Sequence, residues 1–141
     1  MKKMAGYFVV TVVAAGFWAC AGTPGPGDPG FAFNLSGTYQ GEIVVDGTPF
    51  GATMEVLTGA GGALEGTYEV LSPVEMAGAV TGAVVADSVT FQLNYLNPMD
   101  GCGGVLDGKG TVEEGGDAFS GRAQANDSCG GFLSGTFALQ K

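Results

Sequence analysis

From Leu35 to the end of the chain, apolar and polar residues alternate in short runs that stop at turn-forming residues. The clearest run is Ser88 to Leu96. Val89, Phe91, Leu93 and Tyr95 fall on one side of it, and Ser88, Thr90, Gln92 and Asn94 on the other. Successive side chains of a strand point to opposite faces, so a period of two marks a strand that is dry on one face and wet on the other. The same reading predicts strands over 35–45, 49–58, 63–71, 75–85, 88–96, 104–113, 117–125 and 131–140, with no helical apolar stripe of useful length. Asp46-Gly47, Gly59 to Gly62, Ser72-Pro73, Asp87, Asn97 to Gly104, Gly115-Gly116 and Asn126 to Gly131 supply the turns.

Within these strands a unit recurs: apolar, any residue, Gly, any residue, then usually apolar again. It appears as Leu35-Ser-Gly-Thr-Tyr39, Leu64-Glu-Gly-Thr-Tyr68, Val80-Thr-Gly-Ala-Val84, Phe119-Ser-Gly-Arg-Ala123 and Leu133-Ser-Gly-Thr-Phe137. The glycine shares a face with the apolar residues, which suits a narrow, sharply bent interior with no room for a side chain at every site. The fold expected is all-β, a small antiparallel up-and-down barrel of about eight strands, whose closure removes both sheet edges. A β-sandwich is the alternative.

The barrel accounts for residues 34–141. Ahead of it, Ala21 to Gly30 reads AGTPGPGDPG, three prolines and four glycines in ten residues, which builds neither a helix nor a paired strand. Residues 21–33 are therefore expected to be a linker, and the first ten of them extended would span on the order of 30 Å. Residues 1–20 have the form of an export signal: Lys2 and Lys3, then an uncharged stretch from Met4 to Ala19, then small residues. Those sixteen residues would rise about 24 Å as a helix, short of the roughly 30 Å hydrocarbon core of a bilayer.

The end of that stretch, Phe17-Trp18-Ala19-Cys20, resembles the lipobox of bacterial lipoproteins. The resemblance implies that Cys20 takes a diacylglycerol and becomes the first residue of the mature chain. Phe17 stands where the family usually has leucine, and Trp18 is bulkier than the small residue normally found there. Ala19-Cys20-Ala21 also satisfies the small-x-small rule for ordinary signal cleavage after Ala21, so secretion as a soluble or periplasmic protein is the alternative. Either route leaves Cys102 and Cys129 as an even pair. Cys102-Gly-Gly-Val-Leu-Asp-Gly and Cys129-Gly-Gly-Phe-Leu-Ser-Gly are near copies, each leading into a strand. In a meander those strands run the same way with one strand between them, so both cysteines emerge at one barrel end. Export to an oxidising compartment makes a Cys102–Cys129 disulfide the expectation.

Charge narrows the partners. All 14 acidic residues follow Cys20, against only Lys109, Arg122 and Lys141. Nucleic acid is thereby disfavoured, since phosphate binding needs clustered Lys and Arg. Membrane attachment would have to come from the lipid anchor. The chain has no histidine, its two barrel cysteines pair, and Ser36, Ser120 and Ser134 face solvent without a base, so no catalytic residue is expected. The predicted inner face carries no Asp, Glu, Lys or Arg. Asp100, Asp107, Asn126 and Asp127 near the disulfide end, and Glu113, Glu114 and Asp117 at the other, offer oxygens of the kind calcium accepts. Their spacing matches no known loop, and no metal or cofactor is expected.

The interior should hold Phe50, Met54, Phe91, Leu93, Phe119, Phe137 and Leu139, with the hydroxyls of Tyr39, Tyr68 and Tyr95 as its polar atoms. A filled core is the expectation, since eight strands leave a space that side chains can fill. If space remains, an apolar pocket with convergent hydroxyls results, the usual form of a small-ligand site. Leu35 to Tyr39 and Gly62-Ala-Leu-Glu-Gly-Thr-Tyr-Glu69 resemble the avidin family and, more loosely, lipocalin-like barrels. In avidins the tyrosine matching Tyr68 touches biotin. Val70 stands where that family has serine, and the only Trp lies in the export segment, so the resemblance implies barrel geometry without biotin. One more stretch, Ala77, Ala79, Ala83 and Val85, lacks outward polar residues and is expected to pack on Phe31-Ala-Phe33 or on a partner.

Together these readings give an exported lipoprotein of the bacterial cell envelope whose barrel has a structural or protein-interaction role, with an envelope protein as its partner. The alternative is a small apolar ligand held inside the barrel by Tyr39, Tyr68 and Tyr95.

Overall fold

A computed structural model describes residues 22–141; the export segment and Cys20 lie outside the described residues. Eight antiparallel strands close into a barrel in sequence order. They are β1 (Ser36–Val45), β2 (Thr48–Thr58), β3 (Ala63–Ser72), β4 (Met76–Val85), β5 (Ser88–Leu96), β6 (Gly103–Val112), β7 (Ala118–Asp127) and β8 (Gly131–Gln140), with a 3-10 turn at Ala60–Gly62. Closure is made by β1 on β8, from Gln40 opposite Gln140 to Val45 opposite Gly135. The sandwich alternative is thereby set aside.

Alternation decides which face is which. In β5, Val89, Phe91 and Leu93 are buried while Ser88, Thr90, Gln92 and Asn94 are exposed. The outer wall carries exposed Glu42, Glu55, Glu65, Glu69, Asp107, Lys109 and Arg122. This is the reverse of a lipid-facing barrel, whose outer band is apolar. Inside, the recurrent glycines have two separate causes. At Gly108 a Cβ would fall within the ring of Phe91, and at Gly78 it would stand 3.1 Å from the ring of Tyr68, so these positions make room for aromatics. At Gly66 and Gly110 a Cβ would meet a carbonyl of the neighbouring strand, so strand curvature itself forbids a side chain.

One end of the barrel is filled. Phe119 packs edge-on against Tyr39 with ring centroids 5.1 Å apart, Phe91 against Phe137 at 4.9 Å, and Leu35, Met54, Leu64, Val80 and Val84 complete the plug. Thr58 is the buried polar side chain here; its hydroxyl accepts from the Leu35 N–H (2.9 Å) while its own N–H donates to the Leu35 carbonyl (2.8 Å). The Gly/Pro segment is not extended but folded onto this closed end. Gly27 N–H donates to the Asn34 side chain, Gly115 N–H donates to the Ala32 carbonyl, and Phe31 and Phe33 pack against the core. Ala77 and Ala79 stay exposed, so Phe31-Ala-Phe33 covers the barrel end instead of the β4 wall.

Candidate functional site

The opposite end is open. There the inner faces of all eight strands bound an apolar cup of about 430 Å³, so the expected filled interior holds for the closed half only. Ile43, Val45, Phe50, Val70, Met76, Leu93, Leu106, Ala125 and Leu133 form its wall. The β1–β2 and β5–β6 loops, the start of β2 and the turn after Asp127 contribute Asp46, Asn97, Asp100, Thr48 and Gly130 to its mouth. Asp46 and Gly47 both take positive φ (49° and 78°), the backbone of a two-residue hairpin turn that an Asp-Gly pair adopts readily. A depression of about 760 Å³ on the outer wall is larger, but it is lined mainly by outward polar side chains such as Thr81, Gln92, Lys109 and Gln124. The cup combines an enclosing apolar wall with a few polar groups.

Cys102 and Cys129 form a disulfide on the rim, with Cα atoms 5.6 Å apart. The three tyrosines named as ligand contacts separate. Tyr39 lies in the closed end, fully buried; its hydroxyl donates to the Gly116 carbonyl (2.6 Å) and accepts from the Ser36 N–H (3.0 Å). Its role there is to tie the β6–β7 turn to β1. Tyr68 and Tyr95 do line the cup. Tyr68 donates to the Asn94 carbonyl (2.6 Å), and burial raises its pKa.

Tyr95 donates to Asp127 Oδ2 (2.6 Å), and Asp127 is a residue that strand reading alone missed. β7 continues two residues past its predicted end, so the alternation Phe119, Gly121, Ala123, Ala125 places Asp127 on the inner face at the mouth. The expectation of an inner face without carboxylates is corrected accordingly. The signal was present in the same period of two, cut short by reading Asn126 as a turn. Asp127 Oδ1 also accepts from the N–H groups of Cys129 (2.8 Å) and Gly130 (2.9 Å). The Tyr95 hydroxyl first, and then these two N–H groups, hold its carboxyl below the ordinary 3.8. Burial first, and then the Asp127 hydrogen bond and the negative charges of Asp127 and Asp100, push the Tyr95 phenol upward, so it stays protonated and remains a donor.

A carboxylate whose pKa is depressed on folding contributes stability above its unfolded pKa and loses it as pH falls through the folded one. We therefore expect the melting-temperature gap between wild type and Asp127→Asn to be present near neutral pH and to shrink between about pH 5 and pH 2. Thermal melts of both proteins across that range check it; a gap that stays constant into acid would sink the assignment.

Among the described residues, Cys102, Asp127 and Cys129 are the acidic or sulfur groups close enough to share an ion, and two of them are joined in the disulfide. Asp107 lies on the outer wall, where it accepts from Gln92 (3.2 Å), so it does not converge with Asp100 and Asp127. Comparison with known proteins gives no matching family model, no matching curated protein and no matching solved structure.

Proposed function

We propose that this chain is an exported envelope lipoprotein, anchored through Cys20, whose barrel holds a small apolar molecule in its open end. One observation carries the binding role: an apolar cup of about 430 Å³, within the range of roughly 300–1,000 Å³ usual for small-ligand sites, at the end away from the Gly/Pro segment. Tyr68, Tyr95 and Asp127 are the polar groups that orient the guest. Biotin is not the ligand, because the barrel has no Trp to wall it. Pro26 and Gly27 lie against the closed end, which supports a cup that opens away from the anchored side. Four large apolar side chains around the open end, Leu71, Leu96, Met99 and Phe132, are exposed by 64%, 64%, 81% and 86%. Such a rim favours, as a second reading, contact with an envelope protein.

The test uses protein extracted from membranes. Its intact mass is expected to show a chain starting at Cys20 with acyl mass added; a chain starting at Gly22 without lipid rejects the anchor. The same protein is then titrated with the neutral fluorescent probe N-phenyl-1-naphthylamine, with saturable binding expected. Leu133→Trp, which fills the mouth, should weaken binding about tenfold or more, equivalent to about 1.4 kcal/mol, with the melting temperature little changed. Failure of the wild type to take up the probe rejects the binding role and leaves the partner-contact reading.

A further inference from the structure

We propose that the cup selects apolar molecules carrying a positively charged, hydrogen-bond-donating head, a primary alkylammonium being the simplest, over those carrying a carboxylate. The inference rests on the binding role proposed above and adds the chemical class of the guest.

Two independent features of the mouth lead to it. The first is hydrogen-bond polarity. The Tyr68 hydroxyl proton is committed to the Asn94 carbonyl and the Tyr95 proton to Asp127. The N–H groups of Cys129 and Gly130 are likewise turned onto Asp127, and the Cys102 N–H onto Asp100. What remains for a guest is mostly lone pairs: two tyrosine oxygens and carboxylate oxygens, with the Thr48 hydroxyl and the Asn97 amide as donors. An ammonium head supplies three donors and needs no acceptor from itself; a carboxylate supplies none.

The second feature is charge. Asp46, Asp100 and Asp127 border the mouth, and no Lys or Arg lines the cup. Among the described residues the basic side chains stand elsewhere: Lys109 and Arg122 on the outer wall, and Lys141 over the Tyr39 ring at the closed end. A carboxylate entering the cup would leave water for at most the two neutral donors of Thr48 and Asn97 and would face the like charges of Asp46, Asp100 and Asp127. An alkylammonium would keep its head among those charges while its chain lies along Val70, Leu93 and Leu106.

The full-length protein, loaded with N-phenyl-1-naphthylamine near neutral pH, is titrated with decylamine, decanol and decanoate below their micellar ranges. Decylamine should displace the probe at a concentration about tenfold or more below that needed for decanoate, with decanol between them. Adding about 0.5 M NaCl should narrow the gap, because the mouth is open to screening ions. The double variant Asp46→Asn/Asp100→Asn should narrow it too, chiefly by weakening displacement by decylamine. If the probe binds but decanoate displaces it as well as decylamine does, the head-group selectivity is overturned and the binding role stands. If the probe itself does not bind, both fall.

Discussion

Replacing Phe119 with alanine is expected to lower the stability of the barrel by about 3–5 kcal/mol, the range found when a large aromatic is deleted from a packed core. Phe119 is 1% exposed and stands at the centre of the closed half, with ring centroids 5.1 Å from Tyr39, 6.3 Å from Phe91 and 5.8 Å from Phe137. Its neighbours have little freedom to refill the space. Phe91 already occupies the room left by Gly108, and Tyr39 is held by hydrogen bonds to Gly116 and Ser36. The void would therefore persist, and a persistent void adds to the lost transfer energy. The cup walls behave differently. Phe50 and Leu133 border existing space, so truncating either removes fewer contacts and should cost clearly less. Urea unfolding of Phe119→Ala beside Leu133→Ala measures the contrast. Equal losses in the two variants would mean that the barrel is not divided into a filled and an open half.

That division marks the boundary between what the sequence shows and what it hides. Strand positions and the inner face are local properties. The Ser88 to Leu96 alternation reappears residue by residue in β5, and predicted and observed strands start and stop within two residues of one another. How completely the interior fills is a sum over eight strands, and no single stretch carries it. Tyr39 and Tyr68 end near-identical motifs, Leu-Ser-Gly-Thr-Tyr and Leu-Glu-Gly-Thr-Tyr, yet one hydroxyl reaches a carbonyl 77 residues away in the plug and the other sits in the cup. The difference comes from register: Tyr39 is three residues into β1 and near the closed end, whereas Tyr68 is five residues into β3 and nearer the mouth. The disulfide was legible because its two flanking sequences are near copies on strands running the same way. The inward position of Asp127 on β7 was hidden for a complementary reason. Its Asn126 neighbour has turn-forming chemistry, but pairing with Val105 on β6 and Phe132 on β8 overrides that local preference.

Removing the disulfide, by reduction or by Cys102→Ala/Cys129→Ala, should cost about 3.5 kcal/mol on the chain-entropy account of a loop this size. The cysteines are 27 residues apart and enclose β6, β7 and the turn between them, so the unfolded chain regains the freedom of a long loop. The native state should loosen as well, and at one end only. Cys129 donates its N–H to Asp127, and Asp127 in turn accepts from Tyr95. Cys102 donates its N–H to Asp100. Both carboxylates nearest the bridge are thus fixed by the backbone that it fixes. Among the described residues, the side-chain hydrogen bonds of Tyr39 and Thr58 at the closed end do not reach the rim. Loss of the bridge should therefore lower the unfolding midpoint and weaken probe uptake, while the aromatic plug keeps its near-ultraviolet circular dichroism below the transition. Each single alanine variant should match the double variant in stability, because either change opens the same loop. A double variant that unfolds at the wild-type midpoint would show that the bridge constrains neither state. One that loses stability but binds the probe unchanged would show that the strands hold the cup in shape and the bridge merely closes the loop.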